Sequence, residues 1–302
     1  MEILRTPDRR FEGLTDWAYE PHYTMVRSAP DAARPDLRIA HAEDGAGTTG
    51  ATALLLHGEP SWSYLYRHMM PIVAGAGHRV VAPDLVGFGR SDKPAERSSY
   101  TYASHVDWMS QWLVANDLRN VTLFCQDWGG LIGLRLAVAF PDRFDRIVAA
   151  NTFLPTGDGT PSAAFLDWRR FSQQVPVFPT GAILDGASKR DLTPGEIVAY
   201  EAPYPDEAMK AGARQFPLLV PIGTDDPERA ANLTAWAALE RWTKPFLCTF
   251  SDGDPVTAGS DLRFQERVPG CAGQPHITVP GGHFLQEDSP AELARAIVAC
   301  MA

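Results

Sequence analysis

The chain has 302 residues, of which 45% are hydrophobic and 21% are charged, proportions typical of a globular protein and not of a disordered or fibrous one. Its 27 Lys and Arg against 37 Asp and Glu give a formal net charge of -10, an average field that repels nucleic acid. No apolar stretch approaches the length of a transmembrane helix, and the N-terminus lacks the apolar core of a signal peptide. We therefore expect no membrane association and a cytoplasmic location.

The cysteines are far apart in the sequence and lack the C-x-x-C spacing of a metal or redox site. They are Cys125, Cys248, Cys271 and Cys300. We interpret them as buried thiols of a reducing compartment, and we expect neither a metal nor a cofactor.

Short apolar runs bounded by glycine and proline predict strands that are buried on both faces. In chain order these runs are Ala51–Leu56, Arg79–Ala82, Val121–Cys125, Arg146–Ala150, Phe246–Phe250 and His276–Val279. Tyr102–Asn116 and Gly130–Phe140 lie between strands and carry apolar residues at helical spacing. Because strands and helices alternate, the pattern predicts an α/β fold with a parallel sheet and right-handed crossovers.

The alternation of predicted strands and helices is interrupted between the strands that begin at Arg146 and Phe246. Residues 157–229 are rich in proline, aromatic residues and short helical patches, and they predict a helical insertion above the sheet. This divides the chain into a core of residues 1–156, a helical cap of residues 157–229, and the rest of the core, residues 230–302.

The segment CQDWGG follows one predicted strand and opens a helix, which is the layout of a nucleophile elbow whose G-x-S-x-G consensus is altered. Asp127 occupies the nucleophile position, and Gly129 and Gly130 supply the small residues that such a tight turn needs. Taken alone, an aspartate after a strand is more often the N-cap of the following helix. Other motifs favour the elbow.

His57-Gly58-Glu59-Pro60 follows a predicted strand and is typical of a loop whose backbone supplies an oxyanion donor. This assigns the N–H groups of Glu59 and Trp128 to the oxyanion, while His57 braces the loop. Asp254 and His283 each follow a later strand, which gives the chain order nucleophile, acid, histidine. Asn151 ends the preceding strand but cannot supply the negative charge that orients a histidine, so Asp254 is preferred.

The motifs HGEPSWSYLYR, PDLVGFGRSDKP, CQDWGG and GGHFLQED, together with PYP and QFPLLV in the cap, resemble those of haloalkane dehalogenases in the α/β-hydrolase superfamily. The resemblance spans nearly the whole chain. It implies an α/β-hydrolase fold, with a mostly parallel eight-stranded sheet flanked by helices and a helical cap inserted after strand 6. It also implies that a carboxylate displaces halide from a saturated carbon, that a histidine-activated water hydrolyses the resulting ester, and that two indole N–H groups hold the halide.

Carried onto this sequence, the resemblance makes Asp127 the nucleophile, His283 the general base and Asp254 the acid that orients the histidine. An aspartate is already ionised at neutral pH and needs no base in order to attack, which suits displacement at saturated carbon. The expected partners are a small apolar halogenated substrate, water and a halide ion. We expect the protein to be a monomer.

For the halide, the resemblance points to the indole N–H groups of Trp128 and of a tryptophan in the cap, for which Trp168 is our choice. An alternative alignment places Ser188 there, and Trp62, Trp236 and Trp242 are weaker candidates. We expect an apolar pocket that keeps water from the nucleophile. Its predicted lining is Phe165, Phe171, Phe216, Pro217 and Val220.

Three other functions compete with this interpretation. An epoxide hydrolase shares the nucleophile and would use a pair of cap tyrosines, for which Tyr200 and Tyr204 are available. A haloacid dehalogenase would need arginines near the nucleophile, and Arg135, Arg169 and Arg170 are poorly placed in the sequence. A binding protein without catalysis would be expected to lack one of the catalytic residue types. A serine esterase is excluded because no serine occupies the elbow.

Overall fold

The computed structural model describes residues 1–29, 35–45, 48 and 50–302. Eight strands form its main sheet, in the order β8-β7-β6-β5-β3-β4-β2-β1. They are β1 (His22–Val26), β2 (Leu37–Asp44), β3 (Thr52–Leu56), β4 (Arg79–Pro83), β5 (Val121–Gln126), β6 (Phe144–Ala150), β7 (Phe246–Ser251) and β8 (Ile277–Val279). β2 runs antiparallel to both β1 and β4, and the other neighbours are parallel.

This sheet confirms the predicted fold class. The described residues also form eleven α-helices, none of which is long and apolar enough to cross a membrane. They are α1 (Met70–Gly75), α2 (Tyr102–Ala115), α3 (Trp128–Ala139), α4 (Ala163–Gln174), α5 (Thr180–Gly186), α6 (Pro194–Glu201), α7 (Ala211–Gln215), α8 (Arg229–Leu239), α9 (Ser260–Arg267), α10 (Leu285–Asp288) and α11 (Pro290–Met301).

The central strands explain why the apolar runs in the sequence are continuous. Every residue of β3 and β5 is buried. Leu54 and Leu56 pack into a hydrophobic cluster on one face of the sheet, whereas Leu55 packs into a second cluster on the other face. Since successive side chains of a strand point to opposite faces, a strand covered on both sides is apolar at most positions, and Thr52, Thr122 and Gln126 are the buried polar exceptions in β3 and β5. Because β3 and the four strands from β5 to β8 run parallel, their carboxyl ends lie at the same edge of the sheet.

Between β6 and β7 the chain forms α4 to α8. We call α4 to α7 the inserted helices, because α8 packs against the core helix α3 and is tied to it by an ion pair between Glu228 and Arg135 at 2.6 Å. Two of the inserted helices, α4 and α6, begin at side-chain caps. Ser162 accepts a hydrogen bond from the amide of Phe165 at the start of α4, and Thr193 and Glu196 form a capping box at the start of α6.

A buried group of charged residues joins the core to the inserted helices, and we call it the Arg67 cluster. Arg67 Nη1 lies 2.5 Å from Glu287 Oε1, and its Nη2 lies 2.6 Å from Glu196 Oε1. Arg190 and Tyr200 also contact Glu287. The side chains of Arg67 and Glu287 are both 0% exposed. A buried charge is tolerated only when it is paired, and here each carboxylate meets two arginines.

All four cysteines are free thiols. Cys125, Cys248 and Cys271 are buried as predicted, but Cys300 is only partly buried. It lies in the last turn of α11, where it packs against the outside of the second hydrophobic cluster.

Candidate active site

The turn between β5 and α3 holds Asp127 in an unusual backbone conformation, with φ 51° and ψ -125°. Such a positive φ is uncommon for a residue with a side chain. The Asp127 N–H donates to the carbonyl of Asn151 at 3.0 Å, and Thr152 Oγ1 donates to the carbonyl of Asp127 at 2.8 Å. A side chain at Gly129 would collide with the carbonyl of Leu56, so the turn needs glycine there. This is the geometry of a nucleophile elbow.

The side chain of Asp127 does not cap α3. Its Oδ1 instead accepts a hydrogen bond from the backbone N–H of Glu59 at 2.8 Å. The capping alternative that the sequence left open is therefore wrong. Gly58 permits this approach, because a side chain there would overlap the carboxylate of Asp127.

Three side chains from three strand ends meet at the elbow. His283 Nε2 lies 3.5 Å from Asp127 Oδ2, and His283 Nδ1 lies 3.1 Å from Asp254 Oδ2. The carboxylate of Asp254 is held in turn by the N–H of Val256 at 2.9 Å and by the hydroxyl of Thr257. The imidazole thus lies between two carboxylates, one at each nitrogen.

The electrostatics of the three groups are coupled. Burial disfavours the charged form of His283, but the negative charges of Asp254 and Asp127 outweigh this and raise its pKa to about 10. Burial likewise opposes ionisation of Asp254, yet the charge and hydrogen bonding of His283 lower the pKa of Asp254 to about 2. The two carboxylates therefore favour an imidazolium in the resting site, and the proton affinity of His283 depends on the charge of Asp127.

The two predicted oxyanion donors differ in this state. Glu59 N–H already contacts the Asp127 carboxylate, whereas Trp128 N–H, the first amide of α3, makes no hydrogen bond to that carboxylate. His57 supports the same loop from behind: its Nδ1 lies 2.9 Å from the carbonyl of Gly58, and its Nε2 accepts the N–H of Leu85 at 2.9 Å. Full burial lowers the pKa of His57, which keeps this brace neutral.

A cavity of about 410 Å³ lies above the elbow. Asp127, Trp128 and His283 line it from the core. Phe165, Trp168, Pro217 and Val220 line it from the segment between β6 and β7. Neither indole N–H of Trp128 and Trp168 donates to a protein acceptor among the described residues, so both remain free for a ligand.

Two predicted lining residues lie elsewhere, which corrects the prediction. Phe171 lies nearly one turn after Trp168 on α4, and the centres of the two rings are 5.9 Å apart. It does not line the cavity, and 42% of it is exposed. Phe216 is fully buried behind the wall, where it packs edge-on against Trp128 at 4.6 Å. It therefore supports the indole of Trp128 and does not face the cavity.

The other candidates for the second halide donor are less well placed. Ser188 lines the cavity, but its hydroxyl donates to the carbonyl of Leu184 at 2.8 Å. The indole N–H groups of Trp62 and Trp236 donate to backbone carbonyls, at 3.1 Å and 2.8 Å. Trp242 does not line the cavity. Trp168 is thus the tryptophan of the inserted helices that faces the site.

Asn151 and Gln126 donate hydrogen bonds to the backbone carbonyl of His283, a role that was not singled out from the sequence. Asn151, considered there only as an acid, donates from Nδ2 to the carbonyls of Gly282 at 3.0 Å and His283 at 3.1 Å. Gln126 Nε2 lies 3.2 Å from the carbonyl of His283 and 3.2 Å from its Nε2. A glutamine at the end of a mostly apolar buried strand was the available signal for Gln126.

The groups that the competing functions need do not face the cavity. Tyr200 donates its hydroxyl to Glu287, and the Tyr204 hydroxyl is buried without a protein partner. The arginines are used in structural contacts: Arg135 pairs with Glu228, Arg169 donates to the carbonyl of Pro217, and Arg170 pairs with Asp167. Among the described residues, no group of three or more His, Cys, Asp and Glu side chains could hold a metal ion.

Comparisons with known proteins agree with this geometry. A family profile described as the alpha/beta hydrolase fold matches residues 54–290. A haloalkane dehalogenase of Psychrobacter cryohalolentis is 54% identical over 99% of this chain and 97% of that protein, and one of Mycobacterium marinum is 48% identical over 99% of each. The solved structure of the tetrameric haloalkane dehalogenase DpaA from Paraglaciecola agarilytica has a TM-score of 0.90 and 33% identity, covering 99% of this chain and 98% of that one. The resemblance carried by the motifs is thereby confirmed, and the chain belongs to the haloalkane dehalogenases of the α/β-hydrolase family.

Proposed function

We propose that the protein hydrolyses the carbon–halogen bond of halogenated alkanes to a primary alcohol, a halide ion and a proton. The observation that carries the proposal is an aspartate carboxylate at the elbow, exposed to a mainly apolar cavity and in contact with a histidine that a second aspartate holds. The family supports the same reaction, since the relatives named above are haloalkane dehalogenases over nearly their whole length.

In the first step, Asp127 attacks the carbon that bears the halogen. A bond forms between a carboxylate oxygen and carbon, the carbon–halogen bond breaks, and the halide leaves with the electron pair. Negative charge grows on the leaving group, so donors pointed at the halogen stabilise the transition state. The free indole N–H groups of Trp128 and Trp168 line the cavity and serve this purpose.

In the second step, water attacks the carboxyl carbon of the ester at Asp127, while His283 takes its proton. The backbone amides of Glu59 and Trp128 stabilise the resulting oxyanion. When it collapses, the bond between the carboxyl carbon and the alkoxide oxygen breaks, the alkoxide takes the second proton of the water and leaves as the alcohol, and Asp127 returns to a carboxylate. Alkylation removes the charge of Asp127, one of the two charges that raise the pKa of His283. The histidine can therefore release its resting proton and become a base after the first step.

Halide release from 1-bromobutane and 1-chlorobutane, measured beside diol formation from styrene oxide, tests the proposed function. We expect halide from the alkanes and no diol, because none of the described tyrosines lines the cavity, where one would be needed to protonate an epoxide oxygen. Diol formation without halide release would favour the epoxide hydrolase.

Replacement of Trp168 by phenylalanine should weaken halide binding by about 10- to 100-fold, because a hydrogen bond to a charged group is worth about 1.5–3 kcal/mol. Bromide titration followed by tryptophan fluorescence measures this. Trp242→Phe is the matched control, since Trp242 does not line the cavity, and it should bind bromide as the unmodified protein does. An unchanged bromide affinity in Trp168→Phe would mean that a group other than Trp168 is the second halide donor.

The domain boundaries, oligomeric state and location belong to the proposal as well. We assign residues 157–229 to a cap over the site and residues 1–156 and 230–302 to the core, and the ion pair between α3 and Glu228 supports a boundary near α8. We propose a cytoplasmic monomer that uses no cofactor, although the relative from Paraglaciecola agarilytica is described as tetrameric.

A further inference from the structure

Gln126 is the last residue of β5 and directly precedes Asp127 in the chain. Its side chain is completely buried, and its amide nitrogen lies 3.2 Å from the carbonyl oxygen of His283 and 3.2 Å from the ring atom Nε2 of the same residue. The amide oxygen of Gln126 has no protein hydrogen-bond partner among the described residues. The polar contacts of this side chain are thus directed at the histidine.

The carbonyl of His283 determines which way the amide of Gln126 points. A backbone carbonyl only accepts hydrogen bonds, so the nitrogen end of the amide must face it. The second hydrogen on that nitrogen is then available to His283 Nε2, which can accept it only when this ring nitrogen carries no proton. The contact consequently favours the neutral ring protonated at Nδ1, the atom that lies 3.1 Å from Asp254 Oδ2.

Asp127 and Gln126 therefore compete for one ring nitrogen. Asp127 Oδ2, at 3.5 Å, attracts a proton on Nε2, whereas the Gln126 amide needs the lone pair of Nε2. While Asp127 is ionised, its charge outweighs a neutral donor. Once Asp127 is an ester, that charge is gone and the Gln126 donor remains.

We propose that Gln126 is a positioning residue that biases His283 toward its neutral, basic form in the alkyl-enzyme, and so lowers the pH at which the ester is hydrolysed. The inference rests on the proposed function, because it concerns the second step of that reaction. Gln126 does not line the cavity, and its side-chain hydrogen bonds go to His283, so it acts through the histidine.

Other ionisable groups lie around the site: Asp254 is beside the ring, and Glu59 and Lys189 line the same cavity. In the proposed reaction, the charge that changes in the first step is that of Asp127. The N–H of Val256 and the hydroxyl of Thr257 donate to the carboxylate of Asp254, and these two hydrogen bonds do not depend on the charge of His283. Burial raises the pKa of Glu59 well above its usual value, which favours its neutral form. Lys189 lines the cavity and is paired with Asp252 at 2.5 Å. A change at Gln126 therefore reports on the amide contact.

Gln126→Met removes the donor and keeps a side chain of similar length. The pKa of His283 in the alkyl-enzyme should rise, so the pH midpoint for ester decay should move up by about half a unit to one unit. Below the midpoint, decay should slow by about 3- to 10-fold. The initial burst of halide from 1-bromobutane should keep its rate, since Asn151 still holds the carbonyl of His283. Rapid-quench mass spectrometry across a pH series measures both steps.

Gln286→Met is the matched control, because Gln286 is buried beside Tyr66, three residues beyond His283. Its midpoint should equal that of the unmodified enzyme. Gln126→Glu offers an acceptor in place of the donor, so it should raise the midpoint at least as far as Gln126→Met, and it decides the question if Gln126→Met does not fold. An unchanged or lowered midpoint would overturn the role of Gln126. If the unmodified enzyme formed no alkyl-enzyme at all, the proposed function itself would fail.

Discussion

Replacing His283 by phenylalanine should give an enzyme that releases one equivalent of halide and then stops. Displacement needs only the Asp127 carboxylate, whereas hydrolysis of the ester needs a base for water, which typically contributes about 10²- to 10⁴-fold. The alkyl-enzyme should therefore accumulate. Mass spectrometry of the intact protein after incubation with 1-bromobutane should detect an added butyl group.

His22→Phe is the matched control for this experiment, because His22 is exposed on β1, at the far edge of the sheet from the site. It should turn over normally and carry no adduct at the end of the reaction. An unmodified mass in His283→Phe together with undiminished turnover would contradict the two-step scheme.

Asp127→Asn should reduce halide release to less than about one part in ten thousand, as expected when a nucleophile is removed. The amide is uncharged and is a far poorer nucleophile. Asparagine is among the few residues that tolerate a positive φ, so the elbow at 51° should keep its shape and the loss should be chemical. Halide release must be assayed at once, since deamidation of the asparagine would restore the aspartate.

Asp167→Asn provides the comparison, because Asp167 lies on an exposed face of α4 in an ion pair with Arg170. Exposed pairs of this kind contribute little to stability, so this variant should retain full activity. Substantial immediate activity in Asp127→Asn would mean that another group attacks the substrate.

The sequence predicted best those parts of the fold that are buried on both faces. β3 and β5 are continuous apolar runs because clusters cover both sides of them, and such runs are visible without a structure. β1 and β2 were not recognised from their residues. β1 lies at the edge of the sheet and its burial alternates irregularly, so HYTMV carries no clear period, and β2 has charged residues among its apolar ones. The existence of both followed only from the family resemblance, which implied eight strands.

Site residues that follow a strand were predictable from the sequence. Residues whose role depends on how a helix packs, or on a distant hydrogen-bond partner, were less predictable. The common edge of parallel strands brings Asp127, Asp254 and His283 together, and they were selected by their positions after strands, their order in the chain and the motifs around them. By contrast, how far the cavity extends along α4 depends on how the helix is seated, which is why Phe171 was misplaced. The hydroxyl of Tyr200 is bound by Glu287, a residue 87 positions away that no local pattern connects to it.

The Arg67 cluster bears on how this scaffold can be re-engineered. The cluster has two halves. The core contributes Arg67 and Glu287, and the segment of the inserted helices contributes Arg190 and Glu196, so each half has one positive and one negative group. Each half is neutral by itself. A segment grafted from a relative, or one swung aside to widen the entrance, would leave neither half with net charge. Such a rearrangement would break the hydrogen bonds between the two halves of the Arg67 cluster. Exchange of this segment is therefore limited by the need to match hydrogen-bond donors with acceptors, and not by the net charge of either half.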